Sequence, residues 1–280
     1  MHENLHFCTA PMASNTQNNK TRRPSKSSKR KKWSFFAYAL PFILALVLLL
    51  LLRKAFHTKD NGQFESYDAF HIKIPKGYDI HGVDVSYFQD RFSWEALKNA
   101  QEKDTKIGFV FIKATEGITR QDKMFAANWT NAGKVGMPRG AYHYFIASRD
   151  GEKQAQNFIK NVHLQEGDLP PVLDVEHVQN ASKEQMQKEV KAWINTIEAH
   201  YGVKPIIYTF ISFYRDYLGS DFDQYPLWIA HYQKHTLPRI NRSWLFWQHD
   251  EQGQVKGIRS KLDFNVFNGD SSDFENLLIH

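Results

Sequence analysis

With 280 residues, 42% of them apolar and 14% aromatic, the chain can build one large or two smaller domains around a substantial core. Its net charge of +6 is unevenly spread: residues 1–59 hold eleven Lys or Arg against the single acid Glu3, a local +10, leaving −4 on residues 60–280 and no case for a nucleic-acid-binding globular part. The single cysteine, Cys8, excludes an intrachain disulfide framework and any metal site built on cysteines. No His pair stands at ligand spacing on a predicted helix, so His177, His231 and His249 are read as hydrogen-bonding or pocket residues, not metal ligands.

Residues 1–32 are rich in Asn, Ser, Thr and Gln, carry a basic cluster from Lys20 to Lys32, and show no apolar periodicity; they read as a disordered tail. Trp33 to Leu52 follows, twenty residues without a charge. A helix of that length spans roughly 30 Å, the thickness of a bilayer core, and tolerates Pro41 there. Arg53-Lys54 stands where a signal peptidase site would need small residues, so the segment is expected to be an uncleaved signal anchor. The basic excess before it places the N-terminus in the cytoplasm, against anionic lipid, and the rest of the chain outside. Residues 53–79 read as a linker with a short extended piece.

From residue 80, strand-like apolar runs alternate with helical segments. Strands are expected over 82–86, 109–114, 140–145, 172–176 and 205–209, with helices from Ser93 as N-cap, over 123–134, 151–162 and 182–201. Three more strands, 227–232, 244–248 and 262–266, have little helix between them. Five βα units followed by three bare strands predict an irregular β/α barrel over 80–280, with a doubly wound open sheet as the alternative; no G-x-G-x-x-G loop follows the first strand.

The chemistry gathers at Pro170-Pro171-Val172-Leu173-Asp174-Val175-Glu176. On a strand, side chains two apart share a side, so Asp174 and Glu176 project together. Two such acids raise one another's pKa, and a protonated carboxyl beside an ionised one is what glycosidic cleavage requires. Asp-x-Glu alone is more often a pair of solvated acids, but a barrel would set it among other polar strand ends. These are Asp84, Lys113 with Glu116, Tyr144, Tyr208, His231 with Tyr232, Gln248 and Asp263. Acids and aromatic rings around one mouth suit a carbohydrate.

His81-Gly82-Val83-Asp84-Val85-Ser86 with Gln89, Phe111-Ile112-Lys113-Ala114-Thr115-Glu116-Gly117 and Gly140-Ala141-Tyr142-His143 resemble the family 25 glycoside hydrolases, the Chalaropsis-type lysozymes or N-acetylmuramidases. Pro171-Val172-Leu173-Asp174-Val175-Glu176, Trp228-Ile229-Ala230, Trp247-Gln248 and Asp263-x-Asn265-x-Phe267-Asn268-Gly269 continue the likeness in order, over residues 80–270. The resemblance implies an irregular β/α barrel, no cofactor, and hydrolysis of the β-1,4 bond between N-acetylmuramic acid and N-acetylglucosamine in peptidoglycan strands. It places the general acid on Glu176, the assisting carboxylate on Asp174 and the outer strand acids on Asp84 and Asp263. Lys113, Glu116, Tyr144, Tyr208, Tyr232 and Gln248 are then expected to bind substrate. Leu262 and Phe264 flank Asp263 where many members carry other residues, which leaves the carboxylate in place. Two routes stay open, inversion through an activated water and assistance by the substrate's own 2-acetamido group; the close Asp174–Glu176 spacing and an N-acetylated substrate favour the second. The other readings are a chitinase-like hydrolase of another N-acetylated glycan and a non-catalytic wall-binding barrel.

Overall fold

Alternation of inward and outward side chains builds this fold. In the computed structural model, which describes residues 63–232 and 236–280, the strands in chain order are β1 (Phe64–Tyr67), β2 (Ile72–Pro75), β3 (His81–Val85), β4 (Gln101–Glu102), β5 (Thr105–Glu116), β6 (Arg120–Gln121), β7 (Arg139–Tyr144), β8 (Val172–Asp174), β9 (Ile206–Phe210), β10 (Leu227–Ala230), β11 (Phe246–Gly253) and β12 (Leu262–Phe267). Eight of them close a barrel in the order β3-β5-β7-β8-β9-β10-β11-β12, with β12 returning to β3. The predicted tail and membrane span lie outside the described residues, among which no helix is long and apolar enough to cross a membrane.

The inward set on each strand packs the barrel interior: Phe109, Phe111, Val172, Ile206, Trp228, Phe246 and Phe267 are all buried there. Phe111 stacks on Trp228 with ring centroids 4.4 Å apart. These rings leave no room for side chains on two neighbouring strands, since a Cβ at Gly82 would lie 2.4 Å from the Phe109 ring and one at Gly140 2.5 Å from Phe111. The outward set, such as Val110, Ile112, Leu173 and Ile207, packs under helices Phe125–Lys134, Gly151–Asn161 and Lys183–Tyr201. Ser93 and Ser182 cap helices Trp94–Lys98 and Lys183–Tyr201 by accepting from Ala96 N and Gln185 N, as expected of serines at a first turn.

Two features differ from the sequence-based expectation. The last strand, β12, runs antiparallel to both β11 and β3, so the barrel is parallel only through β11. Side-chain alternation reads the same in either direction, and only the short β11–β12 connection marks the reversal. Its consequence is that β12 ends at the barrel floor, where helix Ser271–Leu277 follows and Phe274 packs against Phe109 and Phe267. The second difference falls in the predicted linker, whose C-terminal part forms the β1–β2 hairpin. Strands β11 and β12 have no helix over their outer face, and the hairpin region covers it. Phe64 meets Trp247 edge to face at 5.9 Å, and Phe70 meets Phe264 at 5.2 Å. Phe70, Trp247 and Phe264 are consequently buried.

Candidate active site

Where the inward stripe reaches the C-terminal ends of the parallel strands it turns from apolar to polar. There a cleft of about 280 Å³ opens, lined among others by Asp84, Lys113, Tyr144, Asp174, Glu176, Tyr208, Tyr232, Gln248 and Asp263. Asp84 is the fourth residue of β3 and Asp174 the last of β8. Glu176 lies two residues past the end of β8, on the side Asp174 faces. Asp263 arrives differently: it stands at the start of β12, and the reversed direction of that strand brings its beginning to the mouth, directly opposite Asp84.

Lys113 and Glu116 are three apart, which on a regular strand would put them on opposite faces. A bulge in β5 between Lys113 and Thr115 restores them to one side, Lys113 pairing with Tyr142 and Glu116 with Tyr144 of β7. Lys113 Nζ then donates to Glu116 Oε2 at 2.9 Å and sits 4.6 Å from the centre of the Tyr144 ring. Glu116 itself also takes Arg120 Nη1 at 2.6 Å and lines an adjoining depression with Tyr87 and Lys123 instead of the acid cleft. His231 is not in the cleft; its Nε2 lies 3.0 Å from Thr236 Oγ1. His249 faces the outer side of β11, buried beside Trp247.

Burial sets the electrostatics. It is the largest cause raising Asp174 well above the ordinary aspartate range, with the Glu176 charge adding and Lys113 opposing. Burial likewise raises Glu176, against the lowering influence of His177, a Tyr208 hydrogen bond and Lys113. Across the cleft burial pushes Asp84 up to about 7 and Asp263 up to about 9. Four carboxyls gathered in one cleft, Asp84 and Asp174 buried and Glu176 and Asp263 half-buried, cannot all be ionised near neutrality. Asp174 Oδ1 is buried without a hydrogen-bond partner, an acceptor aimed at nothing in the protein itself.

Several residues of this site are not named as site residues in the sequence reading, though some stand in its motifs. Trp228 Nε1 donates to Asn265 Oδ1 at 2.8 Å, and Asn265 Nδ2 donates to Asp84 Oδ2 at 2.8 Å. Gln248 Nε2 reaches the same Asp84 oxygen at 2.6 Å, while Gln248 Oε1 accepts from Tyr208 at 2.7 Å and from Tyr232. Tyr142, Ser86, Phe88, Gln89 and Glu251 complete the lining. Strand parity was the available signal: Asn265 is two from Asp263, and Tyr142 two from Tyr144.

The family model for glycosyl hydrolases family 25 matches residues 83–258. Protein YegX of Escherichia coli O6:H1 is 38% identical over 86% of this chain and 92% of its own length. Lysozyme M1 of Streptomyces globisporus is 34% identical over 69% of each. Among solved structures, a family 25 glycosyl hydrolase from Bacillus anthracis superposes with a TM-score of 0.67 at 37% identity, covering 77% of this chain and all of that one. An eight-stranded barrel closed by one reversed strand, with acids converging at its mouth, thus meets a family match over most of the barrel: the chain belongs to glycosyl hydrolases family 25 and is a glycoside hydrolase.

Proposed function

We propose that this cleft hydrolyses the β-1,4 bond between N-acetylmuramic acid and N-acetylglucosamine in peptidoglycan. The observation that carries the reading is the unpartnered Asp174 Oδ1, buried beside Glu176. An acetamido N–H on the sugar is the donor that oxygen lacks. Glu176, held above its ordinary range, keeps a proton for the departing glycosidic oxygen. As that bond breaks, the carbonyl oxygen of the 2-acetamido group bonds to the anomeric carbon, and Asp174 stabilises the positive charge spread over the ring that forms. Water then opens the ring, giving its proton back to Glu176. The relative Lysozyme M1 is, by its name, a lysozyme. A barrel that only bound wall would have no need of four acids facing one cleft.

The tether belongs to the same proposal. Residues 33–52 anchor the enzyme in a bilayer with residues 1–32 cytoplasmic and the barrel beyond the membrane, a reading supported by the twenty uncharged residues and the basic excess before them. Deleting residues 1–52 is expected to move the protein from the membrane fraction to the soluble one; retention in the membrane fraction would contradict the anchor.

Incubating the protein with peptidoglycan and analysing the products by mass spectrometry tests the reaction. New reducing N-acetylmuramic acid ends are expected. Reducing N-acetylglucosamine ends or 1,6-anhydro ends would each assign a different bond or a different chemistry.

Lys113 makes a further prediction. Its charge lowers the proton affinity of both Asp174 and Glu176. Removing it in Lys113→Met lets both carboxyls hold protons to higher pH, so both limbs of the pH–rate profile should move upward while Arg120 continues to hold Glu116. An unmoved profile would remove Lys113 from the electrostatics of the cleft.

A further inference from the structure

We propose that Asp84 and Asp263 share one proton that resides on Asp263, and that Asn265 and Gln248 are positioning residues that keep Asp84 the ionised member. The inference rests on the hydrolytic reading above and concerns the two acids that reading leaves without a role.

The argument starts at Trp228, whose indole N–H can only donate. It donates to Asn265 Oδ1, which fixes the amide and turns its NH2 group toward Asp84 Oδ2. Gln248 presents its own NH2 to the same oxygen, with its carbonyl held by the hydroxyls of Tyr208 and Tyr232. Both amides arrive together because Gln248 and Asn265 are register partners on β11 and β12. A proton on Asp84 Oδ2 would face two N–H groups and find no acceptor. The same two donors stabilise negative charge on Asp84, which favours its ionised form.

Asp263 stands opposite Asp84 across the β12–β3 pair, which sets the two carboxyls side by side, so that a proton on one is shared with the other. Its surroundings disfavour charge. Asp250 and Glu251 of β11 add their repulsion to that of Asp84. On the far side of the cleft Asp174 and Glu176 face the pair, with Lys113 opposing the charge of both and His177 that of Glu176. Burial, with the acid cluster adding to it, pushes Tyr142, Tyr208 and Tyr232 up, and they stay neutral. The pair therefore carries a single negative charge, fixed on β3. It opposes positive charge developing on the sugar with one anion there, and it spares Asp174 the repulsion of a second.

The test compares isosteric replacements in the full-length protein acting on peptidoglycan. Asparagine at 263 supplies an N–H toward Asp84 where the O–H stood, so Asp263→Asn should retain activity within about tenfold of wild type. Asparagine at 84 cannot be an anion, so Asp84→Asn should lose about 100-fold or more. Equal losses, or the reverse order, would overturn the assignment. As an independent readout, Gln248→Met or Asn265→Leu removes one N–H from Asp84 and should carry the acidic limb of the pH–rate profile to higher pH. A lower rate at every pH with the limb unmoved would mean the amides serve only packing. Glu176→Gln separates this inference from the one beneath it: if hydrolysis needs Glu176 but the two asparagine variants fall together, the reaction stands and the proton placement fails.

Discussion

Glu176→Gln should abolish most peptidoglycan hydrolysis, by about 10³-fold in kcat, while leaving wall binding and thermal stability near wild type. Glutamine keeps the shape of the side chain and can still meet Tyr208, but it has no acidic proton for the leaving oxygen. The size of the loss separates the roles of the acids. A positioning residue that only orients substrate would show its effect chiefly in KM, whereas the proton donor shows it in kcat. A variant that cleaves wall as fast as wild type would sink the assignment of Glu176 and, with it, the proposed reaction.

The largest stability effect is expected at the other end of the barrel. Arg139 opens β7 at the floor, buried, with Nε donating to Asp168 Oδ1 at 2.8 Å and its guanidinium 4.2 Å from the centre of the Trp129 ring. Nη1 also donates to the Trp129 carbonyl. Arg139→Met strands the buried Asp168 carboxylate and should lower unfolding free energy by about 3–5 kcal/mol in denaturant titrations. Combining it with Asp168→Leu removes both charges and should recover a large part of that loss. If the double variant is as unstable as the sum of the single ones, the cost lies in packing around Trp129 and not in the orphaned charge. Activity per folded molecule should be unchanged in either case, since the cleft lies at the opposite end of β7.

Much of this site was legible because strand parity is a strict rule. Asp84, Asp174 and Gln248 sit on inward stripes whose apolar members are visible in the sequence, and the helices of the first four βα units announce themselves by period and by Ser93 and Ser182. What was hidden depends on contacts between strands. The bulge that brings Glu116 beside Lys113 leaves no mark in composition, and the direction of β12 cannot be read from alternation. Asp263 was expected at the mouth as though its strand ran with the others; it is there because the strand runs against them. Trp228 is buried in the core, yet its one polar atom orients Asn265, a contact its place in a motif does not reveal. The β1–β2 hairpin was missed because four-residue strands carry little pattern, and its purpose is visible only once β11 and β12 are seen to lack helices.

Closure of the barrel by β12 against β3 also bears on when the molecule becomes dangerous to its surroundings. Asn265 and Asp84 are 181 positions apart, so the ribosome needs roughly 10 to 40 s after making the first before the second partner of that contact exists. Late in that interval, once β11 is made, the growing chain carries Asp174 and Glu176 but has open edges on β3 and β11 and no Asp263 opposite Asp84. Such edges are sites for mispairing with other chains, which makes the last strand a cap as well as a wall of the cleft. A chain truncated before Leu262 would therefore be prone to aggregate, and the barrel would close only once β12 is made.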